Sequence, residues 1–178
     1  MYVRNYGETL GLPWNKVFGS DRRQVVEEKC RRSGLRYEWR PDGSLRTVAV
    51  RPAAWRSPET QQWSWCNQAQ HWHISCLDPV TRAYITGETE EARYPRMCYY
   101  GDGTSIPDSV MQAILDVYAE LEVVFPWEKG DLLLVDNLLT AHGRNAYSGE
   151  RKLFVVLGDT FSPEELAAER QQRPEMTG

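Results

Sequence analysis

Histidine is scarce in this sequence, with three among 178 residues, at positions 71, 73 and 142. Imidazole chemistry, whether proton transfer or metal ligation, is confined to those places. No apolar run approaches the roughly 20 residues that a membrane-spanning helix needs. The opening residues, MYVRNYGETLGLPW, lack an apolar segment behind a basic start. The expectation is a cytoplasmic protein with no membrane partner. Cys30, Cys66, Cys76 and Cys98 form no C-x-x-C pair. A zinc knuckle is therefore excluded, and in a reducing compartment a disulfide framework is not expected. Positive charge is not in excess: the net charge is −4, and acidic residues interleave with Arg22, Arg23, Lys29, Arg31 and Arg32. Without a basic stripe, nucleic acid is not an expected partner. YYGDG, from Tyr99 to Gly103, has turn glycines but no phosphate-loop Lys or Ser/Thr. Ser64, Ser75 and Ser148 have no nucleophile-elbow context, so hydrolase chemistry is unsupported.

What the chain does have is aromatic mass, seven Trp and nine Tyr, in a length suited to one domain spanning 1–178. Residues 2–6 read as a strand. SDRRQVVEEKCRRSG reads as a surface helix, with Ser20 as cap, Val25, Val26 and Cys30 apolar, and Gly34 closing it. LRYEWRPDGSLRTVAV reads as a hairpin around Pro41-Asp42-Gly43, and residues 63–69 as a further strand. Residues 78–100 read as irregular. Ser105 as cap, Pro107, and Ile106, Val110, Ile114, Val117 and Leu121 at helical spacing predict an amphipathic helix. DLLLVDN and KLFVVLG read as two strands joined by a turn carrying His142. Ser162 and Glu165 form a capping-box pattern that opens a terminal helix over 161–174. Short strands with covering helices predict a mainly β, α+β domain such as a barrel or sandwich.

His142 lies in a polar turn between two apolar runs, with Arg144 and Arg151 close in sequence. Neutral imidazole is a good Fe(II) ligand, and a guanidinium fork suits a carboxylate. By type alone a plainer reading stands beside this one: His142 caps a turn and the arginines pair with Asp136, Glu150 or Asp159. Similarly, Asp102 suits a turn, and Glu27 and Glu28 suit a solvated helix face.

Taken in order, VRNYG, LGLPW, VFGSDR, YEWRPDGSLRT, WCNQAQHWH, YYGDG with IPD, and FPWEKGDLLLVDNLLTAHGRNAYSGERKLFVVLGD resemble the C-terminal half of a TauD/TfdA-like Fe(II)/2-oxoglutarate-dependent oxygenase. The similarity is to the SyrP-like branch found in antibiotic and nonribosomal-peptide pathways, and it covers Tyr2 to about Asp159. The resemblance implies an oxidoreductase with a double-stranded β-helix, the clavaminate synthase-like jelly roll, here incomplete and with flanking helices. It implies Fe(II) and 2-oxoglutarate as cofactors, with His142 as a metal ligand and Arg151 as the salt-bridge partner of the far carboxylate of 2-oxoglutarate. Arg144 and Asn67 would line the cosubstrate or substrate pocket. The implied reaction decarboxylates 2-oxoglutarate to succinate and hydroxylates a small molecule or a carrier-protein-tethered amino acid in secondary metabolism. No residue is assigned to acid or base catalysis.

In that family a His and a carboxylate spaced H-x-D or H-x-E lie upstream of the block that here begins at Val3. No such triplet occurs in this sequence. The expectation is a truncated or split enzyme, completed by an N-terminal half on another polypeptide or by a homo-oligomer. Two alternatives stay open: a three-His site from His71, His73 and His142, and a non-catalytic binding or scaffold domain that retains the fold.

Overall fold

The computed structural model describes residues 1–7, 10–57, 60–137 and 139–158. In chain order the elements are β1 (Tyr2–Tyr6), α1 (Trp14–Phe18), α2 (Arg23–Arg32), β2 (Arg36–Trp39), β3 (Leu45–Ala49), β4 (Ala54–Arg56), β5 (Trp63–Trp65), α3 (Pro79–Glu88), β6 (Arg96–Cys98) and α4 (Asp108–Leu121). They fall into two units, residues 1–52 with 67–131, and residues 53–66 with those from 132 onward.

The first unit is organised by an antiparallel sheet in the order β2-β3-β1-β6. Central β1 pairs with β3 along its whole length, Tyr2 opposite Ala49 and Tyr6 opposite Leu45, and with β6 through Tyr2 opposite Cys98. The β2–β3 hairpin turns where its sequence says it should. Asp42 Oδ1 accepts from the Ser44 amide at 2.9 Å and the Ser44 hydroxyl at 2.6 Å. Gly43, at φ 85°, takes the left-handed position that a side chain would strain. The Arg93 guanidinium sits 2.8 Å from Asp42 Oδ2. These hydrogen bonds, first those from Ser44 and then that from Arg93, hold the Asp42 carboxyl below the usual carboxylate range.

Helix α2 ends in a left-handed cap, as the sequence reading expects. Leu35 N donates to Cys30 O at 2.9 Å and Gly34 N to Arg31 O at 3.1 Å, with Gly34 at φ 62°. Its inward residues Val26 and Cys30 are fully buried with Leu45 and Tyr6, and Trp14, Phe18, Leu35 and Trp39 pack around them. A second cluster joins Ala69, Cys98 and Met111, with Tyr2, Trp72, Ile106 and Ile114 against it. This is where α4 docks. Its predicted stripe is only partly used, since Ile114 packs inward while Val117 and Leu121 are exposed.

Several expectations need correction. Neither Ser20 nor Ser105 caps a helix: the caps are Arg22 and Pro107, without a side-chain bond. Ser20 Oγ instead accepts from Arg22 N at 3.2 Å. Residues 78–100 are not irregular. Asp78 caps α3, its Oδ1 accepting from Val80 N at 3.1 Å and Thr81 N at 3.0 Å, and Pro79 fills the first helical position, whose N–H has no helical partner anyway. The strand expected over 63–69 stops at Trp65, and Ala69–His71 form a 3₁₀ turn.

In the second unit β4 pairs antiparallel with β5, Trp55 opposite Ser64. The strands expected at 131–137 and 152–158 do not form: these runs show no ladder among the described residues. A strand is defined by pairing, and a run of apolar residues does not supply a neighbour. Leu132 and Leu134 are 96% and 95% exposed, and Phe154 and Val156 are exposed as well. The helix expected over 161–174 lies outside the described residues. The α+β class is observed; among the described residues the sheets are one of four strands and one of two. No described helix is long and apolar enough to cross a membrane.

Candidate functional site

The His142 turn is shaped by Asp136 before it and Gly149 after it. Asp136 Oδ1 accepts from Leu139 N at 3.2 Å, and its carbonyl accepts from Thr140 N at 3.0 Å and Thr140 Oγ1 at 2.7 Å. The cap of this turn is thus a carboxylate six residues before His142, not His142 itself, which is exposed. Further along, Gly149 at φ 90° turns the chain before Arg151.

Between them the structure brings together what the sequence reading left separate. The guanidinium carbon of Arg144 lies 5.0 Å from the centroid of the Tyr147 ring, and that of Arg151 lies 5.4 Å from the same centroid. Both are within reach of a cation–π attraction. Neither guanidinium has a carboxylate partner among the described residues, so the ion pairs with Asp136 and Glu150 that the plainer reading expects are not made, and Asp159 lies outside the described residues. Two permanent cations share one ring, in a turn that also carries an exposed imidazole, His142, two residues before Arg144. Tyr147 was not singled out in the sequence, although an aromatic residue three after one arginine and four before another was the available signal.

Asn67 is placed differently. Its Oδ1 accepts from Tyr2 Oη at 2.5 Å and Ala69 N at 2.9 Å, while Nδ2 donates to Pro52 O at 3.0 Å. The amide is a clasp within the first unit, joining the two ends of the 53–66 excursion.

His73 also belongs to the first unit's interior, at 2% exposure. Its Nε2 lies 3.1 Å from the carbonyl oxygen of Ile106, which can only accept, so Nε2 carries the proton. Nδ1 then accepts from Ser75 Oγ at 2.7 Å and Ser75 N at 3.2 Å. Burial lowers the pKa of this imidazole, outweighing the raising effects of the Ile106 carbonyl and Asp108. With both nitrogens engaged, His73 has no lone pair to offer a metal, and the three-His alternative fails on that ground.

Among the described residues no three His, Cys, Asp or Glu side chains group as metal ligands. A complete iron site does not fit these residues, since one imidazole cannot hold Fe(II) against water. A carboxylate does fit Arg144 and Arg151, whose forked donors have no ion-pair partner among the described residues and are already gathered on one ring.

Comparison with known proteins places the chain in a family. The family model described as "Taurine catabolism dioxygenase TauD, TfdA family" matches residues 2–157. Dapdiamide synthesis protein DdaC of Enterobacter agglomerans is 35% identical over 162 residues, which are 91% of this chain and 49% of that protein. A clavaminate synthase-like protein of Arabidopsis thaliana is 27% identical over 164 residues, 88% of this chain and 46% of that protein. The chain therefore spans about half the length of these curated relatives. With a match that runs from the first strand through the arginine turn, the chain belongs to the TauD/TfdA family of dioxygenases.

Proposed function

We propose that this chain is the C-terminal part of an Fe(II)/2-oxoglutarate-dependent oxygenase of secondary metabolism, close to the SyrP-like branch, working with a polypeptide or second copy that supplies the remaining metal ligands. The observation that carries this reading is the pair of guanidiniums, Arg144 and Arg151, without an ion-pair partner among the described residues, on one ring and close in sequence to the exposed His142, in a chain of this family. Arg151 binds the far carboxylate of 2-oxoglutarate through paired N–H donors, and Arg144 adds a second charge at the same carboxylate. His142 contributes one neutral ligand. Bound 2-oxoglutarate supplies the reducing equivalents for oxygen activation as it is decarboxylated to succinate. The substrate is a small molecule or an amino acid tethered to a carrier protein. A biosynthetic setting is supported by the printed name of the bacterial relative, a dapdiamide synthesis protein.

The completed fold on this reading is the family's double-stranded β-helix, with the apolar runs 132–134 and 153–157 taking their places as strands once neighbours are present. Their present exposure supports a complementing partner or self-association. The absence of a three-ligand group among the described residues favours a second reading, a non-catalytic domain that keeps the anion grip. Anaerobic Fe(II) titration with 2-oxoglutarate separates the two. A saturable visible charge-transfer band that is lost in His142→Ala supports the oxygenase, as a homo-oligomer if the chain is alone. No band, alone or with a co-expressed segment carrying H-x-D or H-x-E, overturns it in favour of the binding domain.

A further inference from the structure

We propose that Tyr147 is a positioning residue for anion binding, its ring holding Arg144 and Arg151 so that both guanidiniums meet a single carboxylate. The inference deepens the reading of Arg151 as the carboxylate grip and rests on it. An exposed arginine samples many rotamers, and ordering it on binding subtracts from the affinity it delivers. Here the ordering precedes the ligand, because both guanidinium carbons already lie 5.0 and 5.4 Å from one ring centroid. Stacking on a ring engages the face of a guanidinium and leaves the N–H edge available to a carboxylate. Two cations against one ring repel each other, and no acid among the described residues offsets them. An incoming anion relieves that repulsion, which makes the ligand part of the arrangement's balance. The spacing serves the same end: Arg144 is three residues before Tyr147 and Arg151 four after it, with the chain bending at Gly149. Tyr147 is half exposed, and its hydroxyl has no partner among the described residues, so the ring itself is the functional part.

The test is calorimetric titration of 2-oxoglutarate, without metal, into the full chain and into Tyr147→Leu, Tyr147→Phe and Arg151→Ala. Far-UV circular dichroism serves as the fold control at this exposed position. The expected result is a roughly 5- to 20-fold weaker affinity for Tyr147→Leu, from losing two exposed cation–π contacts, near-parental affinity for Tyr147→Phe, and loss of binding for Arg151→Ala. In an Arg144→Ala/Arg151→Ala background, Tyr147→Leu should change nothing further. Parental affinity in Tyr147→Leu with binding lost in Arg151→Ala overturns the role of Tyr147 and leaves the carboxylate grip standing. Equal weakening by Leu and Phe overturns it too, assigning the effect to the hydroxyl. No saturable binding by the parent chain, or binding indifferent to Arg151→Ala, removes the carboxylate grip and this inference with it.

Discussion

Two apolar stretches with similar patterns meet opposite fates. Leu45 to Ala49, LRTVA, lies between two paired strands and buries Leu45 and Val48. Leu132 to Leu134 has no ladder among the described residues and leaves Leu132 and Leu134 almost fully exposed. The difference lies in the neighbours, since Leu132 to Leu134 is the more apolar of the two and still has no ladder among the described residues. Sequence pattern makes a segment able to be a strand; hydrogen-bonded neighbours on its edges make it one. The first unit has its own neighbours and its own core. The second carries the charged groups of the proposed site while Leu132, Leu134, Phe154 and Val156 face water.

The sharpest way to break this contrast is a matched truncation in each unit. Leu45→Ala should cost roughly 2–5 kcal/mol, since Leu45 is fully enclosed by Tyr6, Val26 and Cys30. Leu134→Ala, at 95% exposure, should fall within about 0.5 kcal/mol of the parent. Urea denaturation checks both. Equal costs would mean that the second unit buries Leu134 in solution.

Acid should also act on the first unit through His73. Its folded pKa lies below the ordinary 6.5, chiefly because of burial, so between the two values the unfolded chain binds the extra proton. The contribution is complete above pH 6.5 and is lost as the pH falls through the lowered value. Asp108, Arg82 and Glu91 surround this imidazole electrostatically, Asp108 and Glu91 favouring the proton and Arg82 opposing it. The urea midpoint should drop between pH 7.5 and pH 5 in the parent and drop less in His73→Leu. Identical slopes would sink the assignment.

A smaller effect is expected at the cap of α3. Asp78→Ala removes acceptors for two backbone amides and should cost about 1 kcal/mol, with the loss seen as a lowered melting temperature. A change no larger than that of Leu134→Ala would place α3 outside the cooperative core.

Much of the first unit was legible because its signals are local. The α2 closure at Gly34, the Pro41-Asp42-Gly43 turn and the helical spacing before Leu121 each need only a few adjacent residues. Helix α3 was missed although Asp78-Pro79 announces it, because Thr81, Thr86 and Gly87 blur the apolar period behind the cap. The runs around His142 read as strands because they are short and strongly apolar, whereas the missing ladder is a property of neighbours. His142, Arg144 and Arg151 stand out by residue type and position, and the family resemblance is what attaches roles to them. Tyr147 was not, because an aromatic residue in a polar turn has no chemistry until two arginines are seen upon it. Asn67 was assigned to a pocket by the same resemblance, and its amide is occupied by Tyr2, Ala69 and Pro52.

That clasp separates length from register. Residues 52 and 67 are tied at one point, so the chain between them leaves and returns through a single doorway. Added or removed residues between 53 and 66 change the closure entropy only logarithmically and leave the pairing of Tyr2 with Ala49 and Cys98 untouched. Evolution or an engineer can rewrite the aromatic hairpin of β4 and β5 without disturbing the first unit's sheet, so long as the asparagine that punctuates it is kept.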